Sequence, residues 1–402
     1  MITVVGIGAD GWDGVSEVGR AWVGSARVVL GGRRHLDLLP DIPGQRRMPW
    51  PSPLRERLPA LPDSLGDAPE GHVVALASGD PLVSGIATTL VDLLGRDEVR
   101  IVPTVSSVAL ARAAMRWPAE SHGVVSVVGR DVSLVRRELA PGRRILVLSS
   151  DEHTPRQVAS LLVEEGYGDS ELTVLGDLGG PSQSTFLCDK ALVLTGQDFD
   201  LPRLNVVAID AVGPHRGGWV AGLPDDVFEH DGQLTKRDLR ASALARLAPT
   251  PGEHLWDVGA GAGSVGIEWL RAHPSCTATA VEADAERAAR IARNASRLGV
   301  PGLQVVHGRA PAALAGLPAP DAVFVGGGAT REGVVETCLA ALRPGGRLVV
   351  HGVTLETEQL LGRLYAEHGG ELTRIAVETA APIGTFTGWT PARAVTQWAL
   401  TV

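Results

Sequence analysis

Short apolar runs rich in valine recur along the chain, each closed by a glycine turn and followed by an amphipathic stretch. Runs at 2–5, 27–30, 73–77, 99–102, 124–128 and 145–148 predict strands, and a second series follows at 254–258, 278–281, 304–306, 322–325 and 347–350. Strands alternating with helical patterns predict an α/β fold with mainly parallel sheets. These eleven runs are too many for one sheet. The series breaks near 210–233, where Gly, Pro, His and Trp cluster without period, as in Val212-Gly213-Pro214-His215-Arg216-Gly217-Gly218-Trp219. The break predicts an N-terminal unit over 1–210, a linker over 211–233 and a C-terminal unit over 234–402. A smaller break at 40–69 holds prolines at 40, 43, 49, 51, 53, 59, 62 and 69. It predicts a surface loop with one short helix.

A chain of 402 residues with 44% hydrophobic and 21% charged positions can bury a core and is not disordered. Net charge is −9, and almost all the positive charge is arginine, since Lys190 and Lys236 are the two lysines. An acidic chain without a long basic run argues against nucleic acid as a partner, although a local basic pocket for a small anion remains allowed. Cys188, Cys276 and Cys338 are far apart and form no CxxC pair, which argues against a disulfide framework or a zinc site. The first residues enter a strand at once, and no run of about 18 uncharged apolar residues exists. The expectation is a cytoplasmic protein that does not enter a membrane.

The sharpest chemical signal lies in the C-terminal unit. Leu255-Trp256-Asp257-Val258-Gly259-Ala260-Gly261-Ala262-Gly263-Ser264 reads as a strand, a glycine turn and a helix start. Such a turn lets the backbone approach a ligand, and the helix behind it presents free N–H groups. Glu282 ends the next strand, where a carboxylate can accept hydrogen bonds from ribose hydroxyls. Gly261, Gly263 and Gly266 match the dinucleotide G-x-G-x-x-G, but the first glycine after the strand is Gly259. Asp257 also stands where nicotinamide proteins keep an apolar residue. An acid before the loop suits a ligand with a positive amino-acid end, such as S-adenosylmethionine; a nicotinamide site and a purely structural turn are the alternatives. The N-terminal unit opens with Gly6-x-Gly8-x-x-Gly11, which alone is weak. Gly31-Gly32-Arg33-Arg34 would tempt an NADP reading. However, Ala77-Ser78-Gly79-Asp80-Pro81-Leu82-Val83-Ser84-Gly85 and Val102-Pro103-Thr104-Val105-Ser106-Ser107 also follow strands, and nicotinamide folds do not require them.

On these turns the N-terminal half resembles the tetrapyrrole methylases, whose hallmarks are an opening glycine turn, a G-D-P turn and a V-S-S turn. The first turn departs from their pattern, with Ala9-Asp10 in place of Pro-Gly. The segment His230-Asp231-Gly232-Gln233-Leu234-Thr235-Lys236-Arg237-Asp238-Leu239-Arg240, leading into the glycine turn, resembles the entry to a Rossmann-like decarboxylating methylase. In that order the pair resembles the family of decarboxylating precorrin-6Y C5,15-methyltransferases, fused enzymes of cobalamin synthesis. The resemblance implies methylation of an anionic precorrin at carbons 5 and 15, loss of carbon dioxide from an acetate arm, and two S-adenosylmethionine sites per chain. It implies cofactor contacts from Thr235, Gly259, Ala260, Gly261, Ala262, Gly263, Glu282 and Ala310 in the C-terminal half. In the N-terminal half it implies contacts from Gly8, Asp80, Val83, Ser106 and Ser107. It further implies a homo-oligomer formed through the C-terminal half.

Lys236, Arg237 and Arg240 are expected to grip substrate carboxylates, against a solvated helix start as the plainer reading. His230, Asp321 and His351 are candidates for moving a proton, although each is more often structural. Arg33 and Arg34 read as solvated surface. The sulfonium methyl is already activated, so alignment and exclusion of water should carry most of the rate. No nucleophilic Ser or Cys and no metal site are expected.

Overall fold

In the first strand, β1 (Ile2–Ile7), all six positions are buried, as in a parallel strand covered on both faces. The computed structural model of the chain describes residues 1–51, 54–57, 73–197, 199–215 and 218–402. They fall into two units, Met1–Pro214 and His215–Val402.

Among its described residues the N-terminal unit holds two five-stranded sheets. The first contains β1, β2 (Val28–Gly31), β3 (Arg46–Pro49), β4 (Val73–Ser78) and β5 (Val99–Val102), in the order β3-β2-β4-β1-β5, all parallel. The second contains β6 (His122–Ser126), β7 (Arg144–Leu148), β8 (Glu171–Gly176), β9 (Ser184–Cys188) and β10 (Asn205–Asp210), in the order β6-β7-β10-β8-β9. Only the β6–β7 pair there is parallel. The helix Ser107–Met115 rests on this sheet, burying Ala111 with Leu146, Leu175 and Ala208. Within 40–69, Arg46–Pro49 is a strand and Leu54–Arg57 a short helix. Residues 52–53 and 58–72 lie outside the described residues.

The C-terminal unit is built on one seven-stranded sheet. Its strands are β11 (His254–Val258), β12 (Thr277–Glu282), β13 (Gln304–His307), β14 (Ala322–Val325), β15 (Arg347–Gly352), β16 (Glu371–Ile375) and, after a hairpin of β17 (Glu378–Ile383) and β18 (Phe386–Pro391), β19 (Val395–Thr401). The order is β13-β12-β11-β14-β15-β19-β16. Strands β11 to β15 are parallel, and β19 runs antiparallel between β15 and β16. The chain builds outward from β11 to β13 and then crosses back to β14. The β11/β14 junction is therefore the switch point, where crevices form at the carboxyl ends of strands.

Residues 211–233, expected as a linker, divide between the two units instead. Ala211 is buried in the N-terminal core, and the Tyr167 hydroxyl donates to the Pro214 carbonyl at 2.6 Å. From Ala221 onward the chain packs into the C-terminal unit. Leu223 and Phe228 join its core, and the N–H groups of Gly222 and Leu223 donate to the Glu268 carboxylate at 2.6 and 2.9 Å. Two isolated apolar residues leave no period in a sequence, yet each is enough to pin a loop. Among the described residues no helix is long and apolar enough to cross a membrane.

Candidate functional site

A cleft of about 370 Å³ opens at the carboxyl ends of β11, β12, β13 and β14. Its floor is the turn after β11, where Gly259 and Gly261 take φ of +66° and +59°. A Cβ at Gly259 would stand 2.6 Å from the Gly327 carbonyl, and one at Gly261 would stand 2.8 Å from the Gln233 carbonyl. Glycine is needed at both positions because the loop after β14 and the segment entering the unit lie directly on the turn. Ala260, Thr235, Lys236 and Ala310 also line the cleft.

Glu282 lines the cleft at the end of β12 and is buried. Its Oε2 accepts from the Gly261 N–H at 2.8 Å and its Oε1 from the Asp284 N–H at 3.0 Å. The carboxylate therefore fixes the glycine turn, and each oxygen keeps a second lone pair for a ligand hydroxyl.

Asp257 does not face the cleft. Its side chain is 1% exposed, Oδ2 accepts from the Gly266 N–H at 2.9 Å, and Oδ1 is buried without a partner. Burial, with a smaller contribution from Glu282, pushes the carboxyl up to about 7 against the pull of the Gly266 bond. The side chain alternates to the helix side of β11 and supports the turn from below. Ala262 and Gly263 are likewise turned away: Ala262 is buried with its carbonyl on the Asn294 amide, and a Cβ at Gly263 would meet Ile291 at 2.7 Å.

Arg240 is not a substrate grip. It is fully buried on the inner face of the helix Arg237–Leu247. Its Nε donates to Glu268 at 2.6 Å, its other nitrogens reach Asp225 at 3.2 Å and the carbonyls of Thr235 and Leu223, and it stacks on Phe228 at 4.7 Å. It ties the entering segment to the sheet. Arg237 is exposed beside Gly222 and does not line the cleft. Asp321 stands before the amino end of β14, the wrong edge for a ligand, where it accepts from the His254 N–H at 2.8 Å and from Arg343 at 2.9 Å. His230 is exposed and accepts from the Gly232 N–H at 3.0 Å. Of the three proton-moving candidates, His351 alone lines the cleft.

Three lining arginines escaped the sequence reading. Arg309 and Arg331 follow β13 and β14, both exposed, and neither side chain has a hydrogen bond or ion pair among the described residues. The third lining arginine, Arg287, is already held by Asp231 at 2.8 Å. An arginine directly after His307-Gly308, and another just beyond Gly326-Gly327-Gly328, mark strand ends at the ligand edge. That was the available signal.

In the N-terminal unit the three expected turns converge at the carboxyl edge of the first sheet. A Cβ at Gly6 would lie 2.2 Å from the Gly79 carbonyl and 2.9 Å from the Thr104 nitrogen. Asp80 Oδ1 accepts from the Leu82 N–H at 2.9 Å, so the carboxylate shapes its own turn. Ser106 caps the helix it precedes, accepting from the Ala109 N–H at 3.1 Å, and Ser107 is that helix's first residue. Val83 packs against the second sheet's cluster. Gly8 sits in the first turn, and the loop after β8 lies on it, since a Cβ at Gly180 would be 2.8 Å from the Ala9 carbonyl. Arg34, expected as solvated surface, reaches Ser78 Oγ at 3.4 Å and His35 Nε2 at 2.8 Å at this same edge. Burial, and then Arg34, pushes the His35 imidazole down to about 4.

Two protein families match the chain. Tetrapyrrole (corrin/porphyrin) methylases match residues 1–190 and the precorrin methyltransferase domain matches residues 226–402. A Sinorhizobium protein named precorrin-6Y C(5,15)-methyltransferase (decarboxylating) is 46% identical over 404 residues, spanning 100% of this chain and 96% of the relative. Two shorter relatives match less than half of the chain. Cobalt-precorrin-7 C(5)-methyltransferase of Salmonella typhimurium is 33% identical over 44% of this chain and 84% of its own length. A probable cobalt-precorrin-6B C(15)-methyltransferase (decarboxylating) of Pyrobaculum calidifontis is 36% identical over 41% of this chain and 88% of its own length.

Proposed function

The chain belongs to the precorrin-6Y C(5,15)-methyltransferase (decarboxylating) family, and from that premise we propose how its two units divide the work. The protein is an S-adenosylmethionine-dependent methyltransferase of cobalamin biosynthesis that methylates a precorrin macrocycle at two carbons and decarboxylates an acetate arm. Each unit holds its own cofactor site. The C-terminal unit carries methylation at carbon 15 together with decarboxylation, and the N-terminal unit carries methylation at carbon 5. The existence of half-length relatives devoted to each reaction favours this division.

In the C-terminal unit the observation that carries the reading is the glycine cradle facing a carboxylate across one cleft. The cleft fits S-adenosylmethionine, with Glu282 for the ribose hydroxyls and Gly259, Ala260, Gly261, Thr235 and Ala310 around it. When bound there, the cofactor supplies an activated methyl on its sulfonium. The chain's own residues hold and orient. Arg309 and Arg331 meet the carboxylate arms of the macrocycle, because unpaired guanidinium groups suit bidentate carboxylates, and the Lys236 ammonium adds a point charge beside them. Closure of the substrate over the cleft keeps water from the reacting carbon. In the N-terminal unit Gly8, Asp80, Ser106 and Ser107 form the cofactor edge, and Arg34 faces an acetate or propionate arm.

Assembly follows from a hairpin that leaves the sheet. Among the described residues, strands β17 and β18 pair only with each other, and they present Ile383, Phe386 and Trp389 at 60%, 79% and 70% exposure. We assign this apolar ridge to a homo-oligomer contact of the C-terminal unit, since exposed aromatic patches mark association sites. The three cysteines are free and buried, in keeping with residence in the cytoplasm. Calorimetric titration of S-adenosylmethionine tests the reading. It should give two sites per chain, and one after Gly261→Val; a single site in the native chain would overturn it.

A further inference from the structure

We propose that His351 returns the proton to the side-chain carbon from which carbon dioxide has left, and that Gln397 is the positioning residue that makes Nδ1 the working nitrogen of that ring. The inference rests on reading the C-terminal cleft as the decarboxylating site. The titratable groups lining it are Lys236, Glu282, Arg287, Arg309, Arg331 and His351. Arginine does not release its proton in the working pH range. Lys236 is exposed and lies 3.8 Å from Asp225. Glu282 has each oxygen committed to a backbone N–H. His351 is what remains.

Its setting suits the task. His351 is the last but one residue of β15, is 9% exposed, and its ring meets Phe324 edge-on at 5.0 Å. Gln397 lies directly opposite in the β15–β19 register and is fully buried, with its Oε1 2.9 Å from His351 Nε2. With the amide oxygen turned to the ring, Nε2 carries the hydrogen and Nδ1 holds the lone pair, while the Gln397 amide nitrogen is left buried without a partner. Swapping the amide would leave Nδ1 permanently protonated and unable to take up a proton. The two arrangements therefore differ in chemistry and not merely in packing.

The step balances. As carbon dioxide leaves, the pair of the broken C–C bond forms an exocyclic double bond, and the π pair of a ring imine moves onto its nitrogen. The resulting enamine carbon takes the proton from imidazolium Nδ1–H, the nitrogen pair re-forms the imine, and the neutral ring is reprotonated by water. The net change is a carboxylate exchanged for hydrogen. Facing the ring are Gln397 on β19, Phe324 on β14 and Arg246, itself paired with Glu371, on the helix Arg237–Leu247. Around the cleft stand Lys236, Glu282, Arg287, Arg309 and Arg331. Burial and Arg246 lower the ring below 6.5, while the Gln397 bond raises it, so decarboxylation should slow as pH rises through that lowered value.

The full-length protein tests this with a readout independent of turnover. His351 is titrated by NMR, its signal assigned by its loss in H351N, in the wild type and in Q397E and Q397M. The imidazole should titrate at higher pH in Q397E and lower pH in Q397M, and the alkaline limb of carbon dioxide release should move with it. In steady state, where each further carbon dioxide waits on protonation of the preceding product, H351N should release it about 10²–10⁴-fold more slowly while binding S-adenosylmethionine as before. Wild-type release by H351N, or a limb that stays put while the imidazole shifts, would overturn the proposal; Q397M serves alone if Q397E does not fold. Failure of the wild-type cleft to bind S-adenosylmethionine would instead overturn the reading beneath it.

Discussion

Replacing Asp257 by asparagine separates a residue that supports the glycine turn from one that touches the ligand. In the folded chain its carboxyl is held up to about 7 by burial, against 3.8 when unfolded. Between those values the folded chain keeps a proton that the unfolded chain has released. Stability therefore falls with rising pH, by about 1.4 kcal/mol per unit, and levels off above about 7. From pH 5 to pH 8 the loss is roughly 3 kcal/mol. Asparagine has no such titration. It can still accept from Gly266 N–H, but its amide NH₂ takes the place of the unpartnered Oδ1, at a pH-independent cost of about 1–3 kcal/mol. The stability of the wild type relative to D257N should thus drop by roughly 3 kcal/mol between pH 5 and pH 8. Urea unfolding followed by hydrogen exchange in the helix Ser264–Ala272 reads this from the C-terminal unit alone. Affinity for S-adenosylmethionine should stay near the wild-type value. A difference independent of pH, together with lost affinity, would mean that the carboxylate is solvated and faces the cleft, and would refute the reasoning.

Arg240→Met should destabilise the C-terminal unit by about 3–5 kcal/mol, because it leaves Glu268 buried without its cation, and a fall in Tm would show it. Arg309→Gln and Arg331→Gln should instead leave Tm alone and raise KM for the precorrin, each lost charge-assisted contact being worth about 1.5–3 kcal/mol. Glu282→Gln sets an NH₂ against the N–H of Gly261 or Asp284, so S-adenosylmethionine affinity at that cleft should fall by about tenfold or more in a calorimetric titration. Alanine at Phe386 and Trp389 should lower the oligomeric mass seen by sedimentation without unfolding the sheet.

The parallel strands other than β3 were legible because each is a short apolar run, most of them rich in valine; β11 and β14 have the bounds that the pattern gives. The parallel strand β3 was hidden, since Arg46-Arg47-Met48-Pro49 carries no apolar run and stands in a stretch read as loop. The antiparallel strands β8, β10 and β19 were not legible either, since they add to a sheet laterally with no crossover helix to announce them. The site followed the same rule. Gly259, Gly261 and Glu282 were readable because a backbone conformation or a strand end demands them. Asp257 was misplaced because a sequence does not show which face of a strand a side chain takes when both faces are buried. Arg240 was misjudged for a related reason, since its partner Glu268 lies 28 positions away on another helix. Gln397 gives no signal at all, because its meaning comes only from lying opposite His351.

The division of labour between two sites is tested most directly by the mass of the product that each single-site variant makes. Asp80→Ala, which breaks the N-terminal turn, should yield a macrocycle that has lost carbon dioxide and gained one methyl. Gly261→Val, whose side chain would collide with the Gln233 carbonyl, should yield one that keeps the carboxylate and lacks the methyl at carbon 15. Loss of carbon dioxide and gain of a methyl shift mass in opposite directions, so the two products are distinct. The same truncated product from both variants would contradict two separate sites.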